Sequence, residues 1–264
     1  MARKKIGWIG SLAIIFISGV LFNPPAVQSN AMPFTPGERL KYELRWENIP
    51  AGEALLAVES IKDLNGTPAY HFVMTARSNA FVDLFYKVRD RIDAYTDTRM
   101  TRSILYQKKQ REGEHLREER IEFDWQNGQA LYSNYGKTDD PVELMPGSFD
   151  PLSAFYFTRM ALAGEVEQVQ RPVTDGKKNI IGRARIIGRE MITLKNGMTF
   201  DTYCIEPDMR HIGGVFKESE DARIRIWVTA DDKRMPVQIK SKVAVGHFIG
   251  ELVSAEGINV NVRP

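Results

Sequence analysis

The chain has 264 residues, 43% hydrophobic and 27% charged, with a formal net charge of +2 and a single cysteine. A balance this close to neutral excludes the electrostatic pull on nucleic acid that a strongly basic chain carries, and one cysteine excludes an internal disulfide. The length suits one large β domain or two small ones.

The N-terminus reads as an export signal. Arg3, Lys4 and Lys5 precede an apolar run from Ile6 to Phe22, then come Pro24, Pro25 and the small-residue stretch Ser29-Asn30-Ala31. This is a charged region, a hydrophobic region and a cleavage site after Ala31. An uncleaved anchor is the alternative, but the run holds 17 residues and a spanning helix needs about 20. No cysteine sits at the junction, so no lipid anchor is expected. Residues 1–31 are therefore expected to be removed, leaving 32–264 as a single β-rich domain, periplasmic or secreted, with no transmembrane segment. The signal takes three basic residues with it, so the formal charge falls from +2 to −1.

Alternation with a period of two dominates the remainder. Leu40, Tyr42, Leu44 and Trp46 alternate with charged residues, as do Ile121, Phe123 and Trp125. Asn127-Gly128 and Asn196-Gly197 are tight-turn signals between such runs. Further strands are expected near 69–78, 103–111, 222–229 and 236–245, with Asp231-Asp232-Lys233-Arg234 as a polar turn. Roughly a dozen strands joined by short turns favour an antiparallel meander. One segment differs. Asp150-Pro151 is an N-cap followed by proline at the first helical position. Leu152, Phe155, Tyr156, Arg159 and Ala163 then recur at helical spacing until Gly164, placing a helix near 150–163. The expected fold is mainly β: a curled antiparallel sheet, open or closed like a barrel, with this one helix as its plug.

One carboxylate is out of place. In FYKVRDRIDAYTD (85–97), Tyr86, Val88, Ile92 and Ala94 share a face, and Asp90 lies among them. Arg159 likewise interrupts the apolar stripe of the helix. Each charge alone is costly to bury; paired, they are tolerable. An Asp90–Arg159 ion pair locking helix to sheet is the expected arrangement, and contact with a ligand's polar head is the alternative use of the same two groups. Trp46, Tyr86, Trp125, Phe155 and Tyr156 are the expected lining of an apolar cavity or core.

Recognisable chemistry is scarce. His71, His115, His211 and His247 show no ligand spacing, so no metal or other cofactor is expected. No nucleophile elbow, P-loop or paired thiol motif occurs, and no catalytic residue is assigned. Cys204, between Tyr203 and Ile205, reads as a buried small hydrophobe. Residues 32–264 keep nine of ten methionines, which suits an adaptable apolar cavity.

Four stretches together carry a resemblance: PFTPGERLKYELRWENIPAGEALLAV (33–58), YKVRDRIDAYTD (86–97), FDPLSAFYFTRMAL (149–162) and IRIWVTADDKRMPVQIKSKVAVGHFIGEL (224–252). The chain resembles the bacterial exported family called domain of unknown function 3108 over about residues 33–255. The resemblance implies a β-rich envelope protein and brings no activity or catalytic residue with it. Its architecture is also loosely similar to the periplasmic lipoprotein carriers, half-open barrels with helices in the mouth; fold alone does not settle function. The leading expectation is a non-enzymatic envelope protein that binds a lipid or other amphiphile. A module binding another envelope protein comes second. An enzyme acting on envelope glycans comes third, since Asp90 and Asp93 face opposite sides of their strand and cannot share a cleft.

Overall fold

The computed structural model describes residues 32–162, 166–208, 223–243 and 246–258. The expected signal, residues 1–31, lies outside them, as do Ala163, Gly164 and His211. The first half of the described chain contains β1 (Arg39–Trp46), β2 (Ile49–Val58), β3 (Lys62–Leu64), β4 (Thr67–Ser78), a single helical turn α1 (Ala80–Asp83), β5 (Arg89–Asp97), β6 (Ser103–Glu112), β7 (His115–Asp124), β8 (Gln129–Asn134), β9 (Lys137–Thr138) and β10 (Val142–Glu143). Helix α2 (Pro151–Ala161) follows, and then β11 (Gln168–Thr174), β12 (Asn179–Thr193), β13 (Thr199–Pro207), β14 (Arg223–Thr229), β15 (Pro236–Val243) and β16 (Gly246–Glu256).

All sixteen strands belong to one antiparallel sheet. Two meanders, one before α2 and one after it, are joined where the first long strand pairs with the last: β1 runs against β16 from Arg39 opposite Glu256 to Trp46 opposite Phe248. The sheet curls but does not close through a strand ladder, because β10 and β11 end its path. The segment before α2 stitches the gap instead. Phe149 N–H donates to the Pro172 carbonyl at 2.9 Å, Thr174 N–H donates to the Phe149 carbonyl at 2.9 Å, and Asn179 Nδ2 donates to the Glu143 carbonyl at 2.6 Å. Both Asn-Gly turns form, with Gly128 at φ 67° and Gly197 at φ 86°, a region that glycine enters without penalty.

Helix α2 is fastened at both ends. Asp150 Oδ1 accepts from the Leu152 and Ser153 N–H groups at 2.9 Å, as an N-cap should. Its Oδ2 accepts from Ser103 Oγ at 2.6 Å, which ties the cap to β6. At the other end Arg234 Nε donates to the Leu162 carbonyl at 3.2 Å. Leu152 and Tyr156 face the main core, where the Tyr156 ring stacks on Phe72 with centroids 3.9 Å apart.

The expected Asp90–Arg159 pair does not form. Arg159 is 1% exposed and pairs with Glu38: Nη1 donates to Oε1 at 2.6 Å and Nη2 to Oε2 at 3.2 Å. Its remaining donors go to the carbonyls of Pro33, Lys233 and Arg234, each at 3.2 Å. One side chain thus joins α2, the lead-in to β1 and the β14–β15 turn. Burial works against the Arg159 charge, but the Glu38 carboxylate overrides it and holds the guanidinium above its ordinary pKa.

Glu38→Gln and Arg159→Met are each expected to cost about 3–5 kcal/mol in urea unfolding, because each strands the other charge in the core. The double variant should lose far less than the two single losses combined. Additive losses would mean that the two groups act separately.

Candidate functional site

The main core packs α2 against β1, β2, β4–β8, β15 and β16, and extends to Phe200 and Cys204 on β13 and Trp227 on β14. On the other side of the helix the packing is incomplete, and a cavity of about 400 Å³ remains between α2 and the concave face of β11–β14. The helix contributes Pro151, Ala154, Phe155 and Thr158 to it; the strands contribute Val169 and Val173 from β11, Ile180, Gly182 and Ala184 from β12, Ile205 and Pro207 from β13, and Ile224, Ile226 and Val228 from β14. Alternation explains the wall: on β11 and β12 every second residue points inward. Short side chains occur on both walls, Ala154 and Thr158 on the helix and Ala184 on β12, so the space is left by the sequence itself. The polar lining is sparse. Arg159, Arg171, Asp175, Lys178, Arg183 and Asp208 contribute to it, and Asp175 Oδ1 is engaged by the Lys177 and Lys178 backbone N–H groups at 3.0 Å.

The aromatic residues singled out from sequence separate into three places. Phe155 lines the cavity and Tyr156 lies in the core. Trp125 packs at the margin of the core, with Nε1 donating to the Ser103 carbonyl at 2.7 Å. Trp46 and Tyr86 line neither, and are about half exposed. They belong to an apolar rim at one end of the sheet. Trp46 sits opposite Ile49 on one side and Phe248 on the other. The turn α1 is tied to β2 through Asn79, whose Nδ2 donates to the Pro50 carbonyl at 2.7 Å, and it carries Phe81, Leu84 and Phe85. Leu84 and Phe85 are 76% and 77% exposed, the most exposed large hydrophobic side chains among the described residues. Strand β5 begins only at Arg89, so Tyr86 lies outside its alternation; its ring instead rests against Gly113.

Asp90 shares the inward face of β5 with Ile92 and Ala94 but stands at the strand's start, half-buried, beside the end of β6. There its Oδ1 accepts from the Arg111 N–H at 2.9 Å. Burial, aided by the neighbouring Glu112 carboxyl, lifts Asp90 from its ordinary 3.8 to about 6. On the outer face Asp93 shows the opposite behaviour. Burial would raise it too, but His71 Nε2 at 2.8 Å and a bidentate Arg91 at 2.7 Å hold it down at about 2. His247 is an exposed rim residue beside Glu47, 3.0 Å away. Cys204 is buried on β13, and burial pushes its thiol up to about 11. Among the described residues no three His, Cys, Asp or Glu side chains gather as a metal site, and no helix is long and apolar enough to cross a membrane.

Fold and cavity together define a class: an open, curled β-barrel-like sheet around one internal helix. The chain belongs to the family described as protein of unknown function DUF3108, whose model matches residues 41–253. None of the curated proteins compared with the chain is similar to it in sequence. Among solved structures, it is similar to a β-barrel-like protein of domain of unknown function DUF1849 from Brucella abortus. The TM-score is 0.54 at 10% identity, covering 85% of this chain and 99% of that one. At that identity the likeness concerns the fold alone.

The two aspartates predict opposite pH effects. A carboxyl raised in the fold stabilises fully below its unfolded pKa, and that contribution is lost as pH rises through the folded value; a lowered one contributes above its unfolded pKa and loses it on acidification. Asp90→Asn should therefore gain Tm relative to the wild type between about pH 4 and 6. A difference in Tm that stays constant across this window would contradict the assignment.

Proposed function

We propose that this protein is a non-enzymatic, exported envelope protein that binds an apolar or amphiphilic molecule of the lipid class between α2 and β11–β14. The observation that carries the reading is the cavity of about 400 Å³ with its aliphatic and aromatic wall. Native interiors rarely leave voids larger than a water molecule, whereas ligand sites fall between about 300 and 1,000 Å³ and are lined mainly by apolar side chains. The charged, apolar and small-residue segments of residues 1–31 support export, and the cavity is only partly enclosed, which gives a ligand access.

The test is a binding titration with Nile red, an uncharged lipophilic probe, and displacement by extracted envelope lipid. Ala184→Phe fills the cavity from the β12 wall; it should weaken binding by about tenfold or more, which is 1.4 kcal/mol, with the cooperative unfolding transition preserved. Equal binding by the folded variant would contradict the cavity as the site.

A second reading rests on a separate observation, the exposed rim of Trp46, Ile49, Phe81, Leu84, Phe85 and Phe248. Contiguous exposed apolar surface marks interaction sites, and this rim would serve docking to another envelope protein. Leu84→Ser combined with Phe85→Ser should leave Tm unchanged and abolish a complex isolated from the native envelope. Survival of the complex would remove the rim from the interface.

A further inference from the structure

Taking the cavity as a ligand site, we propose that its ligand carries an anionic group, a carboxylate or a phosphate, and that Arg171 on the β11 wall receives it. Arg171 alternates inward with Val169 and Val173, so its side chain enters the apolar lining. Its guanidinium carbon lies 4.4 Å from the centroid of the Phe157 ring. Among the described residues, no carboxylate or carbonyl accepts a hydrogen bond from it.

Arg183 also borders the cavity, but it is exposed and lies on β12 between the inward Gly182 and Ala184, whereas Arg171 lies in phase with the inward residues of β11. Arg185 is paired with Glu206 at 2.8 Å on the other face of the sheet, and Arg189 with Asp201 at 2.7 Å farther along β12 and β13. Arg159 also borders the cavity, but its guanidinium is committed to Glu38 and three backbone carbonyls. Asp175, a carboxylate of the lining, is turned to its own backbone turn. Arg171 is partly exposed, so its fork is reachable, and among the described residues it has no ion pair to break. An anion arriving there gains charge-assisted hydrogen bonds, which strengthen where the apolar wall excludes water.

The guanidinium is a planar fork, which suits the two oxygens of a carboxylate or phosphate. Phe157 covers one face and holds the fork's plane. An acyl chain extending from this point would run along Ile205, Ile226 and Val228 toward the small apolar cluster at Leu162. The ligand class is therefore a single acyl chain with an anionic end, supplied either as a free fatty acid or as a phosphate-bearing lipid.

Three ligands with the same chain separate charge from hydrophobicity: myristate, myristyl phosphate and tetradecanol, each titrated calorimetrically below its aggregation concentration. The wild-type protein should bind at least one of the anionic ligands about tenfold tighter than tetradecanol. The ligand that shows this gain tells carboxylate from phosphate. Arg171→Met should erase the gain while leaving tetradecanol binding unchanged, and Arg171→Lys should restore part of it. A gain that survives in Arg171→Met, or its absence from the wild-type protein while tetradecanol binds, overturns the role of Arg171 and leaves the cavity reading intact. Failure of all three ligands to bind overturns both.

Discussion

The bidentate contact between Arg159 and Glu38 is the constraint from which the rest of the architecture follows. A curled sheet with open ends has no intrinsic reason to hold a helix at one height or rotation. Here a buried guanidinium on α2 meets a buried carboxylate just ahead of β1, and its other donors take three backbone carbonyls. Charges buried this deeply tolerate almost no displacement, since a shift that breaks the pairing leaves both uncompensated. Helix rotation is thereby set, and with it the division of labour between the two sides of α2.

On one side the helix offers Leu152 and Tyr156 to a core closed by aromatic contacts among Phe34, Phe72 and Tyr156. On the other it offers Pro151, Ala154 and Thr158 to a wall that includes the short Ala184. Without a fixed helix this second side would collapse, because apolar surfaces left apart lose both dispersion and hydrophobic stabilisation. The ion pair resists that collapse at the helix, while the Asp150 cap and the Arg234 contact hold the two ends. The cavity is in this sense a product of polar anchoring.

Much of the sheet was legible in the sequence. Strict alternation marked the β-strands around Tyr42 and Ile121, two Asn-Gly turns marked hairpins, and Asp150-Pro151 marked the helix within two residues of its start. The pairing of β1 with β16 was not legible, since nothing local records which distant edges meet. The ion pair was half legible. Arg159 announced itself by interrupting an apolar stripe, but two acids met the same criterion: Asp90 in phase with Ile92 and Ala94, and Glu38 in phase with Leu40 and Tyr42. Alternation cannot choose between them, because the choice depends on which strand end the helix reaches. Extending the β1 pattern back by one step would have exposed Glu38 as the rival. Tyr86 and Trp46 misled for a different reason. The helical turn capped by Asn79 interrupts the strand ahead of Arg89, and Trp46 lies at the last position of β1, where an inward-looking phase no longer has a core beneath it. The cavity itself carries no motif; it arises from small side chains on elements far apart in sequence.

The account stands on a helix held rigidly against one half of the barrel and standing clear of the other. The most direct measurement is a crystal structure of the protein grown with myristate. The account predicts continuous density for the ligand between α2 and β11–β14, with the Arg159–Glu38 contact and the helix position unchanged. Density located elsewhere, or a helix that has moved off Glu38 to admit the ligand, would contradict it.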